Sequence, residues 1–140
     1  MAEVKARWLG DMKFLGIDAE KHTILMDASV DAGGEGLGFK PSQLLLVGLA
    51  GCTGVDVVNI LRKGRYQLTG LEMIVTGQQA ADPPWTYEQI HVEYVVKGKG
   101  LKEEAVSRAI ELSETKYCSV GATISGKAKI TTSFRIIEEG

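Results

Sequence analysis

The chain has 140 residues, 44% of them hydrophobic and 24% charged, enough to fold around a core of its own and unlike a disordered or low-complexity chain. Its 16 basic and 18 acidic residues give a net charge of −2, with no block of either sign. That balance argues against nucleic acid and against an anionic membrane surface as partners. The N-terminus, Met1-Ala-Glu-Val-Lys-Ala-Arg-Trp8, interleaves charged and apolar residues, which is not the pattern of a secretory leader. A cytoplasmic location is expected, and in a reducing compartment two cysteines are more often free, catalytic or redox-active than bridged.

In chain order, the first third reads as β-structure. Val4, Ala6 and Trp8 alternate with Glu3, Lys5 and Arg7, Lys13–Asp18 forms a middle strand after a turn at Gly10-Asp11, and Ile24, Met26 and Ala28 alternate with Thr23, Leu25 and Asp27. The glycine-rich run Asp31-Ala-Gly-Gly-Glu-Gly-Leu-Gly38 fits neither the dinucleotide fingerprint nor the P-loop and reads as a flexible connection. Pro41 suits the first turn of a helix, and Lys63-Gly64 suits its end. This helix is apolar nearly all round from Leu44 to Ala50, so it is expected to be buried rather than half-exposed, while Asp56, Asn59 and Arg62 argue against a membrane span. Gly48, Gly51 and Gly54 within it each cost about 1 kcal/mol relative to Ala, a cost more easily tolerated where something packs closely.

Two long strands follow, with Leu71, Met73 and Val75 on one face of the first and Ile90, Val92, Tyr94 and Val96 facing inward on the second. Asp82-Pro-Pro-Trp85 turns the chain between them, since proline cannot donate to a ladder. Apolar residues at 101, 105, 109 and 112 predict a helix over Leu101–Lys116, with Glu103 and Glu104 in its first turn. Ala128, Ile130, Thr132, Phe134 and Ile136 alternate with charged and hydroxyl residues in a last strand. The order βββ-α-ββ-α-β is a single α+β domain over 1–140 with largely antiparallel sheets and a long buried central helix.

The chemistry rests on two cysteines. Cys52 lies inside the long helix and Cys118 between the second helix and the last strand, an arrangement able to form and break a disulfide. As residues alone they stay open between inert core thiols and reactive ones. Cys52 is about three turns from the helix start, beyond the reach of the dipole, and Asp56 one turn further on would raise its pKa. The two cysteines and two histidines, His22 and His91, lack metal-ligand spacing, so no metal is expected; both histidines read as surface-strand residues. No Ser/His/Asp set suggests a hydrolase.

The run Pro41-x-x-Leu44-Leu-x-x-x-Leu49-Ala-x-Cys52, followed about 65 residues later by Cys118-Ser-Val-x-Ala122, resembles the OsmC/Ohr family of osmotically induced and organic hydroperoxide resistance proteins. Asp56-Val-Val-x-Ile60-Leu after the first cysteine is similar to an uncharacterised OsmC-like branch rather than to the well-studied peroxidases. The resemblance implies an intertwined homodimer with sites at the subunit interface. It implies Cys52 as the peroxidatic thiol, Cys118 as the resolving thiol, and an external dithiol, a lipoylated protein in studied members, as reductant, with no bound cofactor. The glycine strip would then serve tight helix packing in the dimer.

Two positions depart from the family's peroxidases. Ser42 stands where they carry a glutamate, and the loop Gly10-Asp-Met-Lys13 carries no arginine, leaving Lys13 the nearest cation. Lys13 as a point charge, Ser42, Thr53 or Tyr117 as hydroxyl donors, and Asp56 are the candidate supporting groups. The expected function is thiol-dependent reduction of peroxides in an oxidative-stress role, with Leu45, Leu49 and Val55 lining an apolar surround that suits organic hydroperoxides. The alternative is a non-catalytic protein binding a small apolar or thiol-reactive ligand in a dimer-interface pocket that the cysteines line.

Overall fold

Pro41 opens the longest helix, α1 (Pro41–Lys63), at the position where its missing N–H costs nothing, and Arg62 and Lys63 occupy the last turn. The computed structural model describes residues 1–140. The buried residues of α1 are Leu49, Thr53, Gly54, Val57 and Leu61. Four of these recur every fourth residue, one stripe of a 3.6-residue repeat. The expectation of burial all round is therefore not met: Leu45, Val47 and Val55 are 50%, 45% and 69% exposed. An added Cβ at Gly48 or Gly51 would touch nothing in the chain, and at Gly54 it would reach only Met73 at 3.8 Å. Composition reported the helix's apolarity correctly but could not report which face this chain itself covers.

The chain comprises two compact units, Met1–Leu45 and Leu46–Gly140. In the first, β1 (Val4–Gly10), β2 (Lys13–Asp18) and β3 (Thr23–Met26) form an antiparallel sheet in chain order, with Trp8 opposite Phe14 and Phe14 opposite Met26. The strand expected through Ala28 stops at Met26, because Asp27 turns inward. Only 1% of Asp27 is exposed, and its carboxylate accepts the backbone N–H groups of Ala28, Glu35 and Leu37 at 2.7–3.2 Å. Burial pushes this carboxyl up, but the three N–H donors and the charge of Lys13 outweigh it and leave its pKa below the ordinary value. The glycine-rich run is accordingly organised around Asp27 rather than being a flexible connection. Gly34 passes so close that a Cβ there would lie 2.0 Å from the Ala28 carbonyl oxygen, which only glycine permits.

The second unit holds β4 (Gln67–Gln79), β5 (Tyr87–Lys99) and β6 (Lys129–Glu138) in that spatial order. β4 and β5 form a long antiparallel hairpin, with Leu71, Met73 and Val75 opposite Val96, Tyr94 and Val92. β6 joins β5 in parallel, pairing Ile90 with Ile130 and Tyr94 with Phe134. A parallel neighbour requires a crossover, and the helical segment between them supplies it. That segment is not one helix over Leu101–Lys116 as expected. α2 (Glu103–Leu112) gives way to a wider π-helical turn at Ser113–Tyr117, and a separate short helix, α3, runs Ser119–Ile124. The core gathers the α1 stripe, Val106 and Ala109 of α2, and the inward face of β5, where Ile90, Val92, Tyr94 and Val96 are fully buried. The fold is α+β with a long central helix and three antiparallel strand pairings beside the one parallel pairing.

Candidate functional site

Cys52 and Asp56 stand one turn apart on α1, so their side chains share a face. The π-helical turn ends at Cys118, whose N–H bonds the Ser113 carbonyl at 2.9 Å and whose extended backbone caps α3. These two local geometries bring Cys52 Sγ, Cys118 Sγ and a carboxylate oxygen of Asp56 within 4.8 Å of one another. Both thiols are free; Cys118 is buried and Cys52 half-buried.

The two sulfurs are electrostatically unequal. Burial pushes the Cys52 thiol up, but hydrogen bonds from the Cys118 thiol, from the Val120 N–H, and from the Ser119 hydroxyl and N–H outweigh it, and the net shift is downward. The N–H groups that open a helix have no partner within it and are free to stabilise an anion. Cys118 moves the opposite way, to about 11, through burial, through donating to Cys52, and through the neighbouring charges of Cys52 and Asp56, against the N–H of Gly121 that its Sγ accepts at 3.2 Å. Within the pair Cys52 is therefore the more acidic thiol and Cys118 the less acidic one.

Behind the thiols runs a buried hydroxyl chain. Ser113 Oγ donates to Asp56 Oδ2 at 2.8 Å, Thr53 Oγ1 lies 2.8 Å from Ser113 Oγ, and Tyr94 Oη lies 2.6 Å from Thr53 Oγ1. Each hydroxyl has one proton. Ser113 spends its proton on the carboxylate, so Thr53 donates to Ser113 and Tyr94 donates to Thr53. The chain runs Tyr94 to Thr53 to Ser113 to Asp56 and fixes the carboxylate beside the sulfurs. Burial, only partly offset by the bond to Thr53, pushes Tyr94 up to about 12, with the acidic groups Glu114, Cys118 and Asp56 adding to it. It therefore remains a donor at any ordinary pH.

A cavity of about 310 Å³ opens beside this chain, with Leu49, Val92, Tyr94 and Cys118 in its wall and Glu114 and Lys129 as its charged groups. Cys52 does not line it. Of the apolar surround expected at Cys52, Leu49 is buried in the cavity wall, whereas Leu45 and Val55 are exposed.

Lys13 binds Glu35 and lies 3.4 Å from Asp11 within the N-terminal unit, and Ser42 belongs to that unit as well. Thr53 serves Ser113 and Tyr94, not a thiolate. Tyr117 is half exposed, with the Lys116 ammonium 5.3 Å from its ring centre. His22 lies in the β2–β3 turn bonded to Asp18, and His91 bridges the hydroxyls of Thr131 and Ser133 on β6. The groups that sequence reasoning missed are Ser119, the Val120 N–H and Ser113. Backbone N–H groups leave no mark in a sequence, and only the break in helical pattern after Leu112 signalled that a second helix start lay beside Cys118.

Residues 33–133 match the family model described as OsmC-like protein. The chain belongs to the OsmC-like family. It is 33% identical over 135 residues to protein YhfA of Escherichia coli K12, covering 96% of this chain and 98% of that protein. A hypothetical protein from Aquifex aeolicus superposes with a TM-score of 0.88 at 30% identity, covering 100% of this chain and 98% of the other. The organic hydroperoxide resistance protein OhrB of Bacillus subtilis shares the OsmC-like fold at a TM-score of 0.66 and 19% identity, over 96% of this chain and 98% of that one. Family membership and two adjacent cysteines are consistent with a redox role.

Proposed function

We propose that this OsmC-like chain reduces hydroperoxides, organic ones foremost, through Cys52 and Cys118. The observation that carries the reading is the juxtaposition of two free thiols of opposite acidity. The Cys52 thiolate attacks a peroxide oxygen and the O–O bond breaks. The departing alkoxide takes a proton and leaves as the alcohol, and Cys52 becomes a sulfenic acid. Cys118 then attacks Cys52 Sγ; its sulfur forms the disulfide while its proton leaves with the hydroxyl as water. An external dithiol restores both thiols by exchange, so no bound cofactor is needed. The Bacillus subtilis neighbour, named for organic hydroperoxide resistance, supports the same direction.

The hydrogen bonds from Ser119 and Val120 supply, in this reading, the thiolate stabilisation that the family's peroxidases draw from a Glu/Arg pair. A second copy of the chain covers the exposed apolar side of α1, where Val47 and Val55 flank the unobstructed Gly48 and Gly51. A cytoplasmic, reducing compartment keeps the resting thiols free. The small-ligand alternative draws support from the cavity only through Cys118, since Cys52 stands outside its wall.

Variants separate the two. Cys52→Ser abolishes peroxide consumption, and Cys118→Ser permits a single turnover that leaves a sulfenic acid trappable by a dimedone probe. Consumption at the wild-type rate by Cys52→Ser would remove the catalytic assignment and leave the binding reading in its place.

A further inference from the structure

We propose that the reduced chain binds one thiophilic divalent cation of the zinc class through Cys52 Sγ, Cys118 Sγ and the Asp56 carboxylate. The inference goes beyond peroxide reduction and does not rest on it.

The spacing of cysteines and histidines along the chain offers no metal set, but the fold assembles a different one. Asp56 comes from the turn of α1 that follows Cys52, and Cys118 arrives from the start of α3, placing all three ligand atoms within 4.8 Å of one another. Zinc bonds of about 2.3 Å to sulfur and 2.0–2.2 Å to oxygen, at tetrahedral angles, set ligand atoms about 3.6–3.8 Å apart. Closing from separations of at most 4.8 Å needs no more than about 1.2 Å, within reach of side-chain rotation.

The carboxylate is already oriented. Ser113 holds Oδ2 at 2.8 Å, and the hydroxyl chain through Thr53 and Tyr94 backs Ser113. Outer hydrogen bonds of this kind are what fix metal ligands in place. The Gly121 N–H plays the same part for Cys118 Sγ.

Charge points the same way. Three acidic groups converge, yet the ion pairs of the chain, Lys13 with Asp11 and Glu35 and His22 with Asp18, do not include any of them. Two soft sulfurs select zinc or cadmium over magnesium or calcium. Three protein ligands leave a fourth position for solvent. Binding forms two S–metal bonds and one O–metal bond and releases the displaced thiol protons to buffer, with no electron transferred. An occupied site ties up both sulfurs, and disulfide formation would eject the ion.

The test titrates Cd²⁺ into reduced, chelator-stripped protein without peroxide, following the ultraviolet thiolate-to-cadmium charge-transfer band, with Zn²⁺ as competitor. The expected result is saturation at one ion per chain, displacement by Zn²⁺, and protection of both thiols from iodoacetamide. Cys52→Ser and Cys118→Ser should each lose the site, and Asp56→Asn should weaken it at least about tenfold, the scale on which even outer-shell partners act. Wild-type protein alkylated at both thiols, its fold checked by circular dichroism, is the control should a variant fail to fold; it should show no band. Absence of a band in wild type overturns the proposal, and so does unchanged affinity in any one of the three variants, which would place the ion on a lone thiol or leave the carboxylate out. Because no turnover is involved, failure of peroxide reduction leaves this result standing, and the reverse holds equally.

Discussion

Thr53 is the hub of the buried hydroxyl chain, and replacing it with valine tests the direction assigned to that chain. Valine keeps the shape and removes Oγ1, and with it the 2.6 Å bond to Tyr94 and the 2.8 Å bond to Ser113. Each bond contributes about 0.5–1.5 kcal/mol net, and a buried donor left without an acceptor costs about 1–3 kcal/mol. Tyr94 is that donor, only 1% exposed, so the expected loss is about 2–3 kcal/mol, or a fall in Tm of about 8 °C for a chain of this size. Tyr94→Phe removes the same bond from its other end. Thr53 still donates to Ser113, no donor is stranded, and the cost should be about 1 kcal/mol. In the double variant the stranded phenol no longer exists, so its cost should fall below the sum of the two. Urea unfolding followed by circular dichroism, comparing midpoints at constant m, reads all three. If Thr53→Val costs no more than Tyr94→Phe, or if the two costs simply add, the donor order proposed here is wrong.

Three other outcomes follow from the same structure. Alkylation of Cys52 should rise through an inflection below the ordinary thiol value of 9.0, and Cys118→Ala, which removes the hydrogen bond that lowers it, should move that inflection upward; an inflection at or above 9.0 in wild type would contradict the thiolate assignment. Asp27 has a folded pKa below the ordinary 3.8, so its stabilisation is fully present above that value and is lost as pH falls below it. Asp27→Asn should therefore flatten the acid limb of the stability curve measured by thermal melts at stepped pH, and parallel limbs would show that the carboxylate does not hold the glycine-rich loop. By light scattering at micromolar concentration the wild-type chain should have the mass of two chains, and Val55→Lys, which places a charge on the exposed apolar side of α1, should shift it toward one; a wild-type monomer would remove the dimer from the account.

Much of the fold was legible because periodicity is a local property. The bounds of α1 followed from Pro41 and Lys63-Gly64, and the inward face of β5 from the alternation of Ile90, Val92, Tyr94 and Val96. What failed depended on distant chain. Asp27 read as an outward strand residue because the alternation before it does not reveal that residues 35 and 37 return to bond it. The helix expected to Lys116 carried a sound pattern to Leu112, but Ser113 is drawn into the hydroxyl chain and the backbone widens there. The segment Ser119–Ile124 combines glycine with β-branched residues, poor helix formers, so its helix owes more to context than to propensity. In the site, the pair Cys52 and Cys118 came through family resemblance, whereas the convergence of Asp56 with both and the Ser119 and Val120 donors needed coordinates.

A peroxide-driven bond between Cys52 and Cys118 is the step on which the proposed activity depends. Its most direct test is a thiol count by alkylation and intact mass on reduced protein, before and after one equivalent of cumene hydroperoxide. Rapid loss of both alkylatable thiols, a mass lower by two hydrogens, and a Cys52–Cys118 cross-link in the peptide map are expected. Two thiols that stay free while the hydroperoxide persists would contradict it.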